Sequence, residues 1–197
     1  NREPKYITDS EFQSIKELEG LDDLYKRLFF FYRETGLRLR ETSIAELSGR
    51  WLDIPCESKT HSERHIELDD RLLMVYAELM EWVSSGYGSR LKTPFGHISK
   101  KFKQALRNIG ADEKKNFHSL RHTFAVRSLI KGVSIYELKL LMGHSSVTTT
   151  ECYSNINLKR VSQDFPTLAS KEQEAVKLVK RDTVLRDTRM VPDPYLA

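Results

Sequence analysis

The sequence is poor in the features that mark secreted, membrane-bound or metal-centred proteins. It holds two cysteines, Cys56 and Cys152, too few for a disulfide framework and without the paired spacing of a thiolate metal site. No apolar run approaches the roughly 20 residues a helix needs to cross a bilayer, and no signal-peptide pattern opens the chain. There is no glycine-rich P-loop for a nucleotide phosphate, no internal repeat and no low-complexity segment. Neither sign of charge dominates. Lys and Arg number 32 against 28 Asp and Glu, so the +4 balance and pI near 9.0 permit an anionic partner without requiring one. These absences leave a cytoplasmic protein as the expectation, with no cofactor and no membrane partner. Its 197 residues, 39% of them hydrophobic, can bury one good-sized core or two small ones.

What the chain does contain is a concentration of chemistry between Phe117 and Tyr153, in the strings FHSLRHTFA, LLMGHSS and TTTECY. His118 and Arg121 are three apart and share one face of a helix. Aimed at one point, an imidazole and a guanidinium can grip a phosphate, because the guanidinium is always charged and donates in a fork. One helix later comes His144, and nine residues beyond it Tyr153, an oxygen nucleophile in waiting. His122 adjoins Arg121 but points about 100° away around the helix, so it reads as structural. A zinc site from His118, His122, His144 and Cys152 lacks both the HExxH glutamate and a second cysteine.

Around this stretch the periodicity is mostly helical. Thr8 to Glu11 forms a capping box before Phe12, Ile15 and Leu18, with Gly20 near the stop. Leu21, Leu24, Tyr25, Leu28, Phe29 and Tyr32 repeat at helical spacing up to Gly36, a C-terminal cap. A short helix through Ile44 and Leu47 is expected next. Trp51–Cys56 and Arg64–Leu68 alternate on either side of a polar turn and read as a β-hairpin. Asp69 or Asp70 caps a long helix bearing Leu72, Tyr76 and Leu79. From Arg90 to Asn108 there are six cations and no carboxylate: Arg90, Lys92, Lys100, Lys101, Lys103 and Arg107. With Ile98, Phe102, Leu106 and Ile109 inward, this single-sign stripe suits a phosphate backbone. Phe117–Lys131 is the next helix, closed by Gly132. Ser134 and Glu137 box the start of another, which Gly143 stops so that His144 sits in a tight turn. Ser146 begins a last short helix carrying Tyr153.

The ordered set H-x-x-R, G-H and a tyrosine nine residues on resembles the tyrosine recombinases, the phage-integrase family. The resemblance covers about Thr8 to Phe165 and extends to T-G-L-R-L-R-E, where it makes Arg38 the first catalytic arginine and Glu41 its supporting acid. It also extends to K-T-H-S-E-R, which resembles the family's K-x-x-x-x-R and makes Lys59 the catalytic lysine of the hairpin. The fold it implies is α+β and mainly α: a helical DNA breaking-rejoining domain with a small antiparallel sheet. Residues 1–7 then read as a linker remnant, 8–165 as the catalytic domain and 166–197 as a tail. The implied activity is site-specific recombination or integration, of the kind mobile elements use, through a 3′-phosphotyrosyl intermediate and without metal or ATP. Arg38, Lys59, His118, Arg121, His144 and Tyr153 would be catalytic. Double-stranded DNA would be the partner, bound by a homotetramer on synapsed sites near the nucleoid, with accessory DNA-bending proteins possible. The tail segment Val184–Leu196 would dock on a neighbouring subunit or fold back on its own domain. Two other readings are a type IB topoisomerase, distinguished by relaxed supercoils as product, and a silent DNA-binding regulator, against which the full catalytic set argues.

Overall fold

The computed structural model describes residues 4–56, 63–85, 94–144 and 150–169. Helix α1 (Asp9–Glu17) starts at the expected capping box, in which Thr8 and Glu11 satisfy each other's backbone N–H. Helix α2 (Asp23–Thr35) is capped by Asp22 and ends on Gly36 in the left-handed region, at φ 65°. A Cβ at Gly36 would lie 2.4 Å from the Phe124 ring, so this glycine is needed both for its backbone and for close approach to a neighbouring helix.

In place of the helix expected through Ile44 and Leu47, a 3-10 turn (Glu41–Ser43) leads into strand β1 (Glu46–Ser48). The strand is three residues long and exposed on both faces, so it carries no alternation that could signal it. Strands β2 (Trp51–Ile54) and β3 (Arg64–Glu67) complete an antiparallel sheet in the order β1-β2-β3. In this register Ile54 opposes Arg64 and Leu52 opposes Ile66, which puts Arg64 on the sheet's inner face, where it is buried.

Helices α3 (Asp70–Ser84, capped by Asp69) and α4 (Pro94–Asn108) follow, then α5 (His118–Ile130) and α6 (Ile135–Met142). The capping box at Ser134 and Glu137 and the left-handed Gly143 are both present. Two short helices, α7 (Leu158–Val161) and α8 (Pro166–Ala169), close the described part. No helix of the described residues is long and apolar enough to cross a membrane.

Two hydrophobic clusters form. The larger gathers Phe29, Tyr32, Phe102, Phe117 and Leu120 with residues of the sheet and α3. The smaller joins Tyr6, Phe124, Val126, Leu138, Met142, Tyr153, Val161 and Phe165. Helix α5 serves both, which places Arg121 between them. The first and last segments meet on the smaller cluster: the Tyr6 hydroxyl donates to Asp164 at 2.7 Å, and Asp9 accepts from the Thr167 backbone at 3.0 Å.

Candidate active site

Arg121 is the centre of the site, and it is 2% exposed. Its Nη1 donates to Gly36 O at 2.6 Å and its Nη2 to Met142 O. Both carbonyls lie at helix C-termini, where backbone acceptors are left over and the dipole favours a cation. The glycines that end α2 and α6 therefore make the seat for this guanidinium. They also present the next polar side chains, Arg38 after Gly36 and His144 after Gly143.

One carboxylate collects three arginines. Glu41 accepts from the Arg38 backbone N–H (2.6 Å) and Arg38 Nη1 (2.7 Å), pairs with Arg64 Nη2, and lies 3.9 Å from Arg121 Nη1. Burial by itself would raise the pKa of Glu41, but Arg64, the Arg38 hydrogen bonds and Arg121 hold it below the usual carboxylate range. Arg64 also donates to Met142 O at 2.7 Å. Burial first, then repulsion from Arg38 and Arg64, lowers the Arg121 pKa to about 9, so it remains a cation at pH 7. The side chain of Arg38 is 28% exposed and is the open face of this group. Arg64 and Arg121 each keep a buried Nε–H with no acceptor among the described residues, so both retain donor capacity for an anion.

His144, 7% exposed, stands beside Arg121 with Nε2 3.2 Å from Arg121 Nη2. A guanidinium only donates, so Nε2 accepts and the ring proton sits on Nδ1, which donates to Thr150 Oγ1 at 3.0 Å. Burial, then Arg121, Arg38 and Arg64, takes the His144 pKa down to about 3. Tyr153 follows Thr150 on a 3-10 turn (Glu151–Tyr153), is 3% exposed and belongs to the smaller cluster. Burial and the neighbouring Cys152 push its phenol well above the ordinary value, with Arg121 opposing.

The ring that meets the Tyr153 hydroxyl is His122, whose Nδ1 lies 2.6 Å from it. His122, which the helical wheel reads as structural, thus has the Tyr153 hydroxyl as its partner. Its 100° offset from Arg121 turns it toward the smaller cluster, where the tyrosine lies. His118 is exposed at the start of α5 and touches His122 edge-to-face, with ring centroids 4.8 Å apart.

Of the expected residues, Arg38, Glu41, Arg121 and His144 are brought together, His118 stands at one remove through His122, and Tyr153 joins through His122 and Thr150. Lys59, Arg90, Lys92, Ser146 and the segment Val184–Leu196 lie outside the described residues. The basic stripe is narrower than expected. Lys100 and Arg107 are exposed on α4 and Lys101 is half-buried, but Lys103 turns back and donates to Glu113 O and to Lys115 O (2.7 Å). The lysine supplies donors to two carbonyls of the loop, which leaves it less free to face a phosphate. Three residues of the site escaped sequence reasoning: Arg64, His122 and Thr150. Only Arg64 had a signal, its inward parity in the strand and the K-x-x-x-x-R spacing.

The buried imidazoles make stability depend on pH. His122, through burial first and then His118 and Arg121, is lowered to about 4, and His144 to about 3. Below about pH 6.5 the unfolded chain protonates both rings while the folded protein does not, so unfolding takes up protons and acid favours it. Glu41, lowered as well, adds to the loss at still lower pH. Stability is expected to fall from pH 7 to pH 4, by at most about 1.4 kcal/mol per pH unit for each ring. Urea unfolding midpoints across that range check this, and a flat profile would contradict the neutral assignments.

Comparison with known proteins points the same way as the geometry. The model of the Phage integrase family matches residues 7–160. A tyrosine recombinase XerC of Chlamydia trachomatis serovar D is 25% identical over 159 residues, covering 80% of this chain and 46% of the relative. One from Chlorobaculum parvum is 36% identical over 68 residues, 34% of this chain and 20% of the relative. This chain thus spans about half the length of the first of these relatives, or less. Among solved structures, XerA recombinase superposes with a TM-score of 0.62 at 20% identity, over 88% of this chain and 66% of the other. XerH bound to a palindromic difH substrate in a post-cleavage complex gives 0.59 at 19% identity, over 83% and 53%. A lambda integrase dimer on a COC' core site gives 0.54 at 20% identity, over 76% and 60%. The shared fold is that of tyrosine recombinase catalytic domains.

Proposed function

The chain belongs to the phage integrase family, and from that premise we propose that it forms the catalytic core of a site-specific DNA recombinase acting through Tyr153. The observation that carries this reading is the convergence on Glu41 of Arg38, Arg64 and Arg121, beside His144, with the Tyr153 hydroxyl held by the histidine next to Arg121. Three guanidiniums around one carboxylate leave an excess of positive charge, the environment a phosphodiester needs as its phosphorus becomes five-coordinate.

Tyr153 Oη attacks the phosphorus in line. The Oη–P bond forms, the P–O5′ bond breaks, and a 3′-phosphotyrosyl ester remains on the protein. Lys59 gives a proton to the leaving 5′-oxygen. The phenolic proton must leave as the nucleophile forms, and the exposed His118 is the group that passes it to water. Arg38 and Arg121 hold the non-bridging oxygens. The family resemblance gives His144 a hydrogen bond to the same oxygens; while its Nε2 accepts from Arg121, its part is to hold that guanidinium in place. Because the phosphotyrosyl ester conserves the energy of the phosphodiester, a 5′-hydroxyl from a second strand can reverse the step and complete an exchange. Four copies on two synapsed duplexes would supply the four cleavages, with DNA-bending proteins able to assist.

Incubation of the full chain with nicked duplexes from the flanks of its source element tests this reading. A protein–DNA adduct that survives denaturing gel electrophoresis is the expected result, and supercoil relaxation without joined sites would favour topoisomerase chemistry instead. The α4 cations are expected to contact phosphates rather than bases. Neutralising Lys100 or Arg107 should weaken binding to all sequences alike and reduce the salt slope by about one. Lys103→Ala should act differently, loosening the loop it braces. A changed site preference at constant slope would contradict the phosphate assignment.

A further inference from the structure

We propose that His122 is a positioning residue for the nucleophile: it parks Tyr153 in the smaller core with the phenolic proton in place, and this hydrogen bond must break before the hydroxyl reaches a phosphate. The inference rests on the reading of Tyr153 as the nucleophile. Nδ1 of His122 and the Tyr153 hydroxyl are 2.6 Å apart, and the two rings lie 5.8 Å apart, tilted by 59°. The phenol is 3% exposed among Phe124, Met142, Val161 and Phe165, whereas Arg38, the accessible arginine, is 28% exposed. Held to His122 within this cluster, the hydroxyl is already engaged and has to leave Nδ1 before it can bond to phosphorus.

In the resting state this hydrogen bond engages the nucleophile's hydroxyl while it is still protonated. The groups facing the pair are His118 and Arg121 from α5 and Cys152 from the tyrosine's own turn. Burial, His118 and Arg121 hold the imidazole neutral, near a pKa of about 4, while burial and Cys152 raise the phenol against the pull of Arg121. The proton therefore stays on oxygen, the hydroxyl donates, and Nδ1 accepts, so the ring carries its own proton on Nε2. Donation from the neutral phenol favours the protonated nucleophile still further. The turn that carries Tyr153 is only three residues long, closed by Tyr153 N to Thr150 O at 3.0 Å, so release does not require unwinding a long helix.

Two measurements test this on the full chain. Without DNA, histidine nitrogen NMR should find His122 as the Nε2–H tautomer, and Tyr153→Phe should mix its tautomers and raise its pKa. With a nicked single-site duplex, His122→Phe keeps an aromatic ring but removes the acceptor. It should form adduct about 2- to 10-fold faster, the range expected when one neutral hydrogen bond no longer opposes release. His122→Asn, which keeps an acceptor near Nδ1, should return the rate toward wild type. An unchanged or slower adduct in a folded His122→Phe, or a tautomer indifferent to Tyr153→Phe, overturns the proposal. If His122→Phe does not fold, the NMR comparison decides alone. Failure of the nucleophile reading would look different, because adduct would then persist in Tyr153→Phe whatever the state of His122.

Discussion

Tyr153→Phe is expected to abolish the covalent adduct while leaving DNA affinity nearly unchanged. The substitution removes one oxygen and keeps the ring that fills the smaller cluster between Phe124, Val161 and Phe165. Its structural cost is the hydrogen bond to His122, about 1 kcal/mol for a neutral pair, too little to unfold a domain with two cores. None of the arginines is touched, and neither are the exposed cations of α4, so the electrostatic part of binding is retained. A gel-shift titration beside a denaturing gel separates the two quantities. Adduct in the mutant would remove Tyr153 from the mechanism.

Arg38→Ala and Arg121→Ala are each expected to slow cleavage by at least ~100-fold, as when a preorganised donor is removed from developing charge. Their effects on folding should part company. Arg38 is partly solvated and bonds only Glu41 among the contacts described, so its loss should cost less than about 1 kcal/mol. Arg121 seats the ends of α2 and α6. Removing it strands the buried Gly36 carbonyl, weakens the hold on Met142 O and takes a counter-charge from Glu41. A loss of roughly 2–4 kcal/mol of stability should follow. Cleavage assays with urea melts of both variants check this. A fully stable, inactive Arg121→Ala would show that the guanidinium is there for chemistry alone. An active Arg38→Ala with an inactive Arg40→Ala would show that the exposed Arg40 is the working residue.

Most of the helical frame is legible in the sequence because its signals are local. Thr8 and Glu11, Ser134 and Glu137, Asp69, Gly36 and Gly143 each act within four residues, and each does in the structure what its spacing implies. The motif that carries the family resemblance is legible for a related reason: H-x-x-R, G-H and the tyrosine nine residues on stand close together in the sequence. What escaped depends on distant partners. Arg64 meets Glu41 across 23 residues and Met142 across 78, and His122 meets Tyr153 across 31. A helical wheel gives the direction in which His122 points but not what waits there. Strand β1 escaped because three exposed residues are too few for any period, and Lys103 because its acceptors are backbone carbonyls, which no side-chain pattern encodes.

The two ends of the described domain are stitched together across most of its length, and this has a kinetic meaning. The Tyr6–Asp164 and Asp9–Thr167 contacts each join residues 158 apart in sequence. Closing a loop of that size costs roughly 4 kcal/mol of chain entropy before any contact repays it. The stitch is therefore expected to form late in folding and to open early when the native protein breathes. Tyr6, Phe165 and Tyr153 share one cluster, so loosening the ends loosens the wall against which the tyrosine rests. Amide protons of residues 150–165 should accordingly exchange faster than those of α2 and α5, and faster still in Thr167→Val, which removes the Thr167 hydroxyl that also donates to Asp9. Tyr153 is thus expected to sit in the part of the described domain that opens most readily.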